Sequence, residues 1–214
     1  RNMKQFLHTL WKVRRLTANI PTYTIFDDHD ISDDWNLNQA WCLRTLGQPL
    51  GRRTIQNGLL AYALCQAWGN TPEQFNVQLK EQSDERSDEQ PAHKETGALL
   101  LEVTERLSAA GGDDEKARDA IATYLGLPDI NPRTGLPEFV EDDGVWIFQR
   151  NRRALKWHYT IRSACHEVLM LDSRTWRGYP INEEPISPPM LLCPSAFKDQ
   201  LNKPLSESPF KREI

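Results

Sequence analysis

The sequence lacks several features that would assign it at once to a common class of protein. No apolar run approaches the roughly 18 residues that a membrane-spanning helix needs, and the first residues, Arg1 to Lys4, contain neither an initiating Met nor a signal-peptide core. There is also no Gly-rich phosphate loop, no G-x-S-x-G nucleophile elbow and no Cys/His dyad. The sequence therefore carries no membrane signal, and it predicts neither a P-loop enzyme nor a serine or cysteine hydrolase.

The cysteine content and the net charge are both low. The four cysteines, Cys42, Cys65, Cys165 and Cys193, lie far apart and form no C-x-x-C pair, which favours free and mostly buried thiols over a zinc cluster. The net charge of −4 gives no general attraction to nucleic acid or to an anionic membrane. With 39% hydrophobic and 26% charged residues in 214, the composition is typical of a folded globular protein rather than a disordered one.

Hydrophobic periodicity and turn residues predict helices in the first two thirds of the chain and strands in the last third, an α/β fold class overall. We divide the chain into three parts: residues 1–70, an acidic helical insertion at 71–142 with a solvated loop near 82–92, and residues 143–214, with a β-hairpin. The predicted helices span 3–17, 36–46, 51–68, 99–107, 113–125 and 195–201, and the predicted strands span 22–26, 145–148, 155–161 and 166–171.

The most informative feature is the acidic block from Asp27 to Asp34, which holds five aspartates and His29. It follows the apolar run Tyr23 to Phe26 directly, as expected of a loop at the end of a buried strand. Because clustered carboxylates repel one another, the block favours a cation among them. Carboxylate and imidazole groups together suit hard or borderline metal ions.

Two other interpretations of the block were considered. A calcium loop of the helix–loop–helix type requires a central Gly and a terminal Glu, and the block has neither. Helix capping, with Asp34 or Asn36 as the N-cap of the helix at 36–46, would account for Asp33 and Asp34. It would not account for the carboxylates around His29, which a metal site explains.

Three segments together resemble the PhoD-like alkaline phosphatase family, which are metal-dependent phosphoesterases related to the calcineurin-like group. They are IFDDHDISDDWNL, PLGRR with the following NGLLAYALCQAWGN, and HEVLMLDSRTWRGYP. The resemblance covers roughly residues 5–70 and 145–197. It implies an α+β-type layered arrangement, part of a metallophosphatase-like β-sandwich with flanking helices, interrupted by the helical insertion.

The resemblance also implies roles for the residues of the block. Asp28 stands where the family has a metal ligand, His29 where an imidazole lies beside the scissile phosphoester, and Asp30 where a carboxylate orients that imidazole. Asp27 is either a further metal ligand or a partner of one. The implied cofactors are two or more divalent or trivalent metal ions, with Fe, Ca, Mn and Zn all open, and the implied substrate is a phosphoester.

Arg174, in LDSRTWR, follows a predicted strand and is a candidate for contacting substrate phosphate; the alternative is a structural pair between Asp172 and an arginine. The chain departs from the family because no Gly-Asp precedes residue 27 and the last histidine is His166. We therefore expect the missing ligands to come from the remainder of a parent chain, and the piece alone to be inactive. The alternative function is a non-catalytic interaction or scaffold module whose acidic block caps a helix.

Overall fold

Helices dominate the first part of the chain and short strands the second in the computed structural model, which describes residues 2–76 and 96–209. A π-helical segment, Ala63–Ala67, continues the helix Pro49–Tyr62, and another, Lys198–Asn202, continues the helix Pro194–Phe197. A 3-10 turn spans Pro72–Phe75. The α-helices are α1 (Asn2–Thr17), α2 (Asp28–Ile31), α3 (Gln39–Leu46), α4 (Pro49–Tyr62), α5 (Trp68–Asn70), α6 (Thr96–Ala109), α7 (Glu115–Leu125), α8 (Pro194–Phe197) and α9 (Lys203–Ser206).

Local side chains fix where several of these helices begin and end. Asn38 begins α3, because its side chain accepts a hydrogen bond of 2.8 Å from the backbone N–H of Trp41. The N-cap predicted at Asp34 or Asn36 is therefore wrong. Asp114 caps α7 in the same way, and Gly126 ends that helix in the left-handed conformation, at φ 76°, where glycine has no steric penalty.

The strands form two small antiparallel sheets. The first has the order β1–β2–β5, and the second is the β3–β4 hairpin, whose turn is closed by a bond of 2.9 Å from the N–H of Ser163 to the carbonyl of His166. The predicted hairpin is confirmed, although its first strand starts four residues later than expected. The strands are β1 (Phe139–Asp142), β2 (Val145–Phe148), β3 (Tyr159–Arg162), β4 (Glu167–Met170) and β5 (Tyr179–Pro180). Helices combined with antiparallel sheets define an α+β class.

The strand predicted at residues 22–26 is wrong, because this segment pairs with no strand in the part of the chain that the structure describes. Side chains satisfy its backbone instead. The Asn70 amide donates to the Thr24 carbonyl at 2.9 Å, and the Tyr159 hydroxyl donates to the same oxygen at 2.7 Å. Phe26 ends the segment in a cluster of rings with centroids 5.1–5.3 Å away. Only the end of the segment is buried, because Thr22 and Tyr23 are exposed and Thr24 and Ile25 are half-buried. Burial of Phe26 by aromatic packing does not require a sheet.

One continuous hydrophobic core joins the helices to the first sheet and takes side chains from all three parts into which we divided the sequence. That division stays a prediction. Burial of each large member contributes about 2 kcal/mol to folding. Fully buried members include Trp35, Cys42, Ile55, Leu59, Leu100, Ile121, Leu125 and Tyr179.

Two tryptophans, Trp11 and Trp68, are exposed. Trp11 lies on α1, where Leu10 is the one described side chain that is even half-buried. The four cysteines are free, as predicted, but only Cys42 and Cys193 are buried. None of the helices in the described ranges is both long enough and apolar enough to cross a bilayer.

Helix α4 packs closely against the acidic block. A Cβ atom at Gly58 would lie 3.2 Å from the Cα of Ile31, so the absence of a side chain there allows α2 to approach α4 closely. The segment between β4 and β5, residues 171–178, lies against another side of the block. Arg174 donates a hydrogen bond to the backbone carbonyl of Trp35, and Arg177 donates one to the backbone carbonyl of Asn36. The two supports bring distant parts of the sequence to one place.

Candidate metal centre

The first half of the acidic block forms the single turn of α2, held by a reciprocal capping box. The Asp27 carboxylate accepts a bond of 2.8 Å from the N–H of Asp28. The Asp30 carboxylate reaches back to the N–H of Asp27 at 2.9 Å. These bonds satisfy the free N–H groups at the start of the turn, so they fix its shape locally.

The turn places Asp27, Asp28 and His29 together, with ligand atoms within 4.8 Å of one another. His29 Nδ1 lies 3.2 Å from Asp28 Oδ1 and 3.7 Å from Asp27 Oδ2. The His29 side chain is 83% exposed, whereas that of Asp28 is only 14% exposed. The carboxylate beside the imidazole is therefore Asp28, and the orienting role expected for Asp30 does not match the geometry, because Asp30 is engaged in the capping box.

Arg174 is the cation that faces this cluster. Its Nη2 atom lies 2.8 Å from Asp28 Oδ1 and also contacts Asp27 Oδ1. Nη1 donates to the carbonyl of Trp35 at 3.2 Å. The alternative side-chain pair of Arg174 with Asp172 is not formed, because Asp172 accepts the backbone N–H of Arg174 instead. The structure thus brings Arg174 to the acidic block, while its contact with phosphate stays a prediction.

Two residues for which the sequence suggested other roles hold the Arg174 segment in position. Asp172, fully buried, accepts from the N–H of Thr175 at 2.8 Å and from the Thr175 hydroxyl. Asn36, also buried, donates to the carbonyl of Arg174 at 3.1 Å and adopts φ 56°. The one available signal was an Asn at the end of an Asp-rich turn, since Asn and Asp adopt the left-handed region more readily than other side-chain-bearing residues.

The electrostatics of the site depress the pKa of Asp27 well below its ordinary value. The N–H of Asp28 makes the largest contribution, followed by the hydrogen bond from Arg174. A second acidic group, Asp28 with Asp33 and Asp34, also has its oxygen atoms within 4.8 Å of one another. Asp28 belongs to both groups, so it is the central carboxylate of the block.

The donors of the first group fit a divalent ion in chemical type, since two carboxylates and one imidazole suit hard or borderline metals. They supply three ligands, about half of an octahedral shell. Arg174 contacts both of the carboxylates, so an ion that bound there would compete with a guanidinium. The arrangement can accordingly provide part of a metal site, with a cation nearby that suits an anionic substrate.

No family model matches the chain, and its comparison with curated proteins and with solved structures gives no match. The resemblance to PhoD-like phosphatases therefore stays a prediction, carried by the sequence segments named above.

Proposed function

We propose that this chain supplies the acidic, imidazole-bearing part of a metal-dependent phosphoester hydrolase, with the remainder of a parent chain completing the ligand set and the layered β-sandwich. One observation supports the proposal best. Asp27, Asp28 and His29 present their ligand atoms within 4.8 Å of one another, and the Arg174 guanidinium contacts the two carboxylates. Metal ligands beside a guanidinium suit a site for a phosphoryl group.

The residues take distinct roles in this proposal. Asp28, partly buried and central to both acidic groups, is the principal metal ligand, and Asp27 is a second one. A divalent ion held by these two carboxylates would supply hydroxide near neutral pH and would neutralise negative charge on phosphate oxygens. His29 donates a proton to the leaving oxygen, with Asp28 in place of Asp30 as the carboxylate that positions the imidazole, at 3.2 Å. Arg174 turns from the carboxylates to the substrate oxygens.

Metal binding by the chain itself is the first test. In calorimetric titration with Mn²⁺, we expect saturable binding that Asp28→Asn weakens at least about tenfold, because the variant removes the charge shared by both acidic groups. Asp113→Asn is the matched control, since Asp113 is an exposed aspartate in the α6–α7 connection, far along the chain from the acidic block. Equal affinity in both variants would show that the block does not hold the ion.

Catalysis is tested in the parent protein, with p-nitrophenyl phosphate as substrate. We expect His29→Ala and Asp28→Ala each to abolish hydrolysis, because the first removes the proton donor and the second a metal ligand. His8→Ala, on the exposed face of α1, should leave the rate unchanged. Activity retained in both site variants would reject the assigned roles.

A second candidate function is a non-catalytic interaction or scaffold module. It is favoured by the capping box, in which Asp27 and Asp30 serve the backbone, and by the guanidinium that already neutralises part of the acidic charge. In this case the parent protein would contain no stoichiometric metal after purification without chelator, and Asp28→Asn would change neither metal content nor activity. Metal content therefore separates the two functions.

A further inference from the structure

A cavity of about 520 Å³ is lined by residues that do not belong to the acidic block. Strand β2 and the segment 149–158 that follows it form one side, and Trp176 and Asp199 contribute from the other. The volume is within the range of about 300–1,000 Å³ that is typical of small-molecule sites. The cavity is therefore large enough for a ligand of one or two rings.

The charge around this cavity is the opposite of that of the whole chain, whose net charge is −4. Its lining contains Arg150, Arg152, Lys156 and His158, and Asp199 is the one acid among the residues that line it. Asp199 is already engaged, because its Oδ2 lies 3.3 Å from His158 Nε2, and the hydrogen bond from His158 lowers the pKa of this carboxyl. Arg150, Arg152 and Lys156 outnumber this one carboxylate, so the lining keeps an excess of positive charge even though Lys156 also interacts with Asp199.

Arg150 is held rigidly against the wall of the cavity. Its guanidinium carbon lies 4.0 Å from the centroid of the Trp176 ring, and Nη1 donates to the Thr175 hydroxyl at 3.0 Å. Two buried nitrogen atoms of lining residues, Arg150 Nε and His158 Nδ1, have no hydrogen-bond partner among the described residues. A buried donor without a partner is costly, so an acceptor able to approach the Arg150 Nε–H group would be stabilised by it.

The remaining wall is apolar. Phe148 and Leu155 are buried, and Ile147 and Val140 contribute further aliphatic surface. A cationic edge beside an apolar wall matches a ligand with the same two parts. We infer that this cavity binds a small organic anion, in which a carboxylate, phosphate or sulfonate faces Arg150, Arg152 and Lys156 and an apolar ring system packs on the aliphatic wall. This site does not depend on the phosphoester hydrolase proposal.

The test uses two fluorescent probes that share their rings and differ in charge: anilinonaphthalene sulfonate and the neutral N-phenylnaphthylamine. We expect the sulfonate to bind at a single saturable site and at least about tenfold more tightly than the neutral probe, because only the anion gains charge-assisted hydrogen bonds. Equal affinities, or binding that does not saturate, would overturn the inference.

Two variants locate the binding. Arg152→Gln with Lys156→Gln should weaken the sulfonate about fourfold and leave the neutral probe unchanged, since each exposed charge contributes a factor of about two. Arg153→Gln with Arg133→Gln is the matched control, because both are exposed arginines outside the cavity lining. Val140→Trp fills the apolar side of the cavity and should weaken both probes.

These outcomes separate the cavity from other apolar surfaces, including the exposed face of α1. If Val140→Trp leaves the affinity for the sulfonate unchanged, the dye binds elsewhere and the inference is wrong. The same holds if the control pair weakens binding as much as the cavity pair. Denaturant unfolding of each variant shows that it is folded before the probes are compared.

Discussion

Two regions that meet at the segment 171–178 contain the same kinds of groups and differ in their access to solvent. On one side, Asp172 is fully buried and bonded to Thr175 and to the backbone of Arg174. On the other, Asp27 and Asp28 contact the Arg174 guanidinium, and solvent reaches 57% of the Asp27 side chain and 14% of the Asp28 side chain. A buried carboxylate with these partners is structural, whereas an exposed one can exchange its partner for a ligand.

The difference has a simple energetic basis. Removing one partner from a buried charged network costs about 3–5 kcal/mol, because the groups left behind have no replacement. An exposed ion pair contributes about 0–1 kcal/mol, because water replaces the lost partner. Variants on the two sides of the segment should therefore separate effects on stability from effects on binding.

The largest effect is expected at Asp172. Asp172→Ala should lower the free energy of unfolding by about 3 kcal/mol, because it leaves the N–H of Thr175 and its hydroxyl without their acceptor. Denaturant titration measures this change. In the control variant Asp113→Ala, at an exposed aspartate, the free energy of unfolding should stay within about 0.5 kcal/mol of that of the unsubstituted protein. A loss below about 1 kcal/mol at Asp172 would contradict the contrast between the two regions.

The next effect concerns metal affinity at the acidic block. Arg174→Gln removes a positive charge 2.8 Å from Asp28 Oδ1. The affinity for Mn²⁺ should rise about tenfold, since the competing cation is gone, while the phosphoester hydrolysis that we propose for the parent protein should fall. Arg133→Gln, an exposed arginine elsewhere, controls for the change in overall charge. Affinity that stays constant or falls in Arg174→Gln would place the ion away from these carboxylates.

A smaller change is expected at Asp30, which serves the capping box. Asp30→Ala should destabilise the protein by about 1 kcal/mol through loss of the bond from the N–H of Asp27. Mn²⁺ affinity should stay within about twofold, unlike in Asp28→Asn. Asp30→Asn should retain most of the stability, because its amide oxygen still accepts the bond. A large loss of metal affinity in Asp30→Ala would return Asp30 to the candidate ligands.

The smallest effect is a pH dependence from Asp27, whose side chain is 57% exposed. Its pKa in the folded protein lies below the unfolded value of about 3.9. The stability that it contributes is therefore complete above about pH 4 and is lost as the pH falls through the lower folded pKa. Asp27→Asn keeps a cap and removes the titrating group, so it should reduce the loss of stability between about pH 5 and pH 2.

Lowered pKa values are also found for three other carboxyl groups, those of Asp114, Asp142 and Asp199. The unsubstituted protein and the Asp27→Asn variant should therefore both lose stability in acid. The informative quantity is the difference between the two unfolding curves. A difference that stays constant over the acid range would mean that Asp27 does not contribute through its charge.

The helices were the part of the fold most readily predicted from the sequence. The spacing of apolar residues located α4, α6 and α7, and Gly111-Gly112 marked the α6–α7 connection. Hydrophobic periodicity is a local property, so it can be recognised in the sequence without tertiary information. The segment 22–26 was predicted wrongly for the converse reason, because an extended apolar run becomes a strand only if another strand lies beside it, and here Asn70 and Tyr159 occupy that place.

The acidic block shows the same division. The sequence was sufficient to indicate that Asp27, Asp28 and His29 lie together, because they are consecutive. The capping role of Asp30 was not evident, since the same residue types serve a metal site and a helix cap. The cavity at Arg150 left no signal, because its walls come from β2, from the segment after it, and from Trp176 and Asp199.

The sequence by itself determined the helical segments, the hairpin at residues 159–170 and the grouping of carboxylates around His29, all of which depend on residues close together along the chain. The tertiary structure decided that the Arg174 guanidinium contacts Asp27 and Asp28, that the Asn36 amide holds the carbonyl of Arg174, and that the Tyr159 hydroxyl bonds to the carbonyl of Thr24 where a neighbouring strand was expected. These choices depend on contacts between residues more than a hundred positions apart, and packing rather than local pattern selects such contacts.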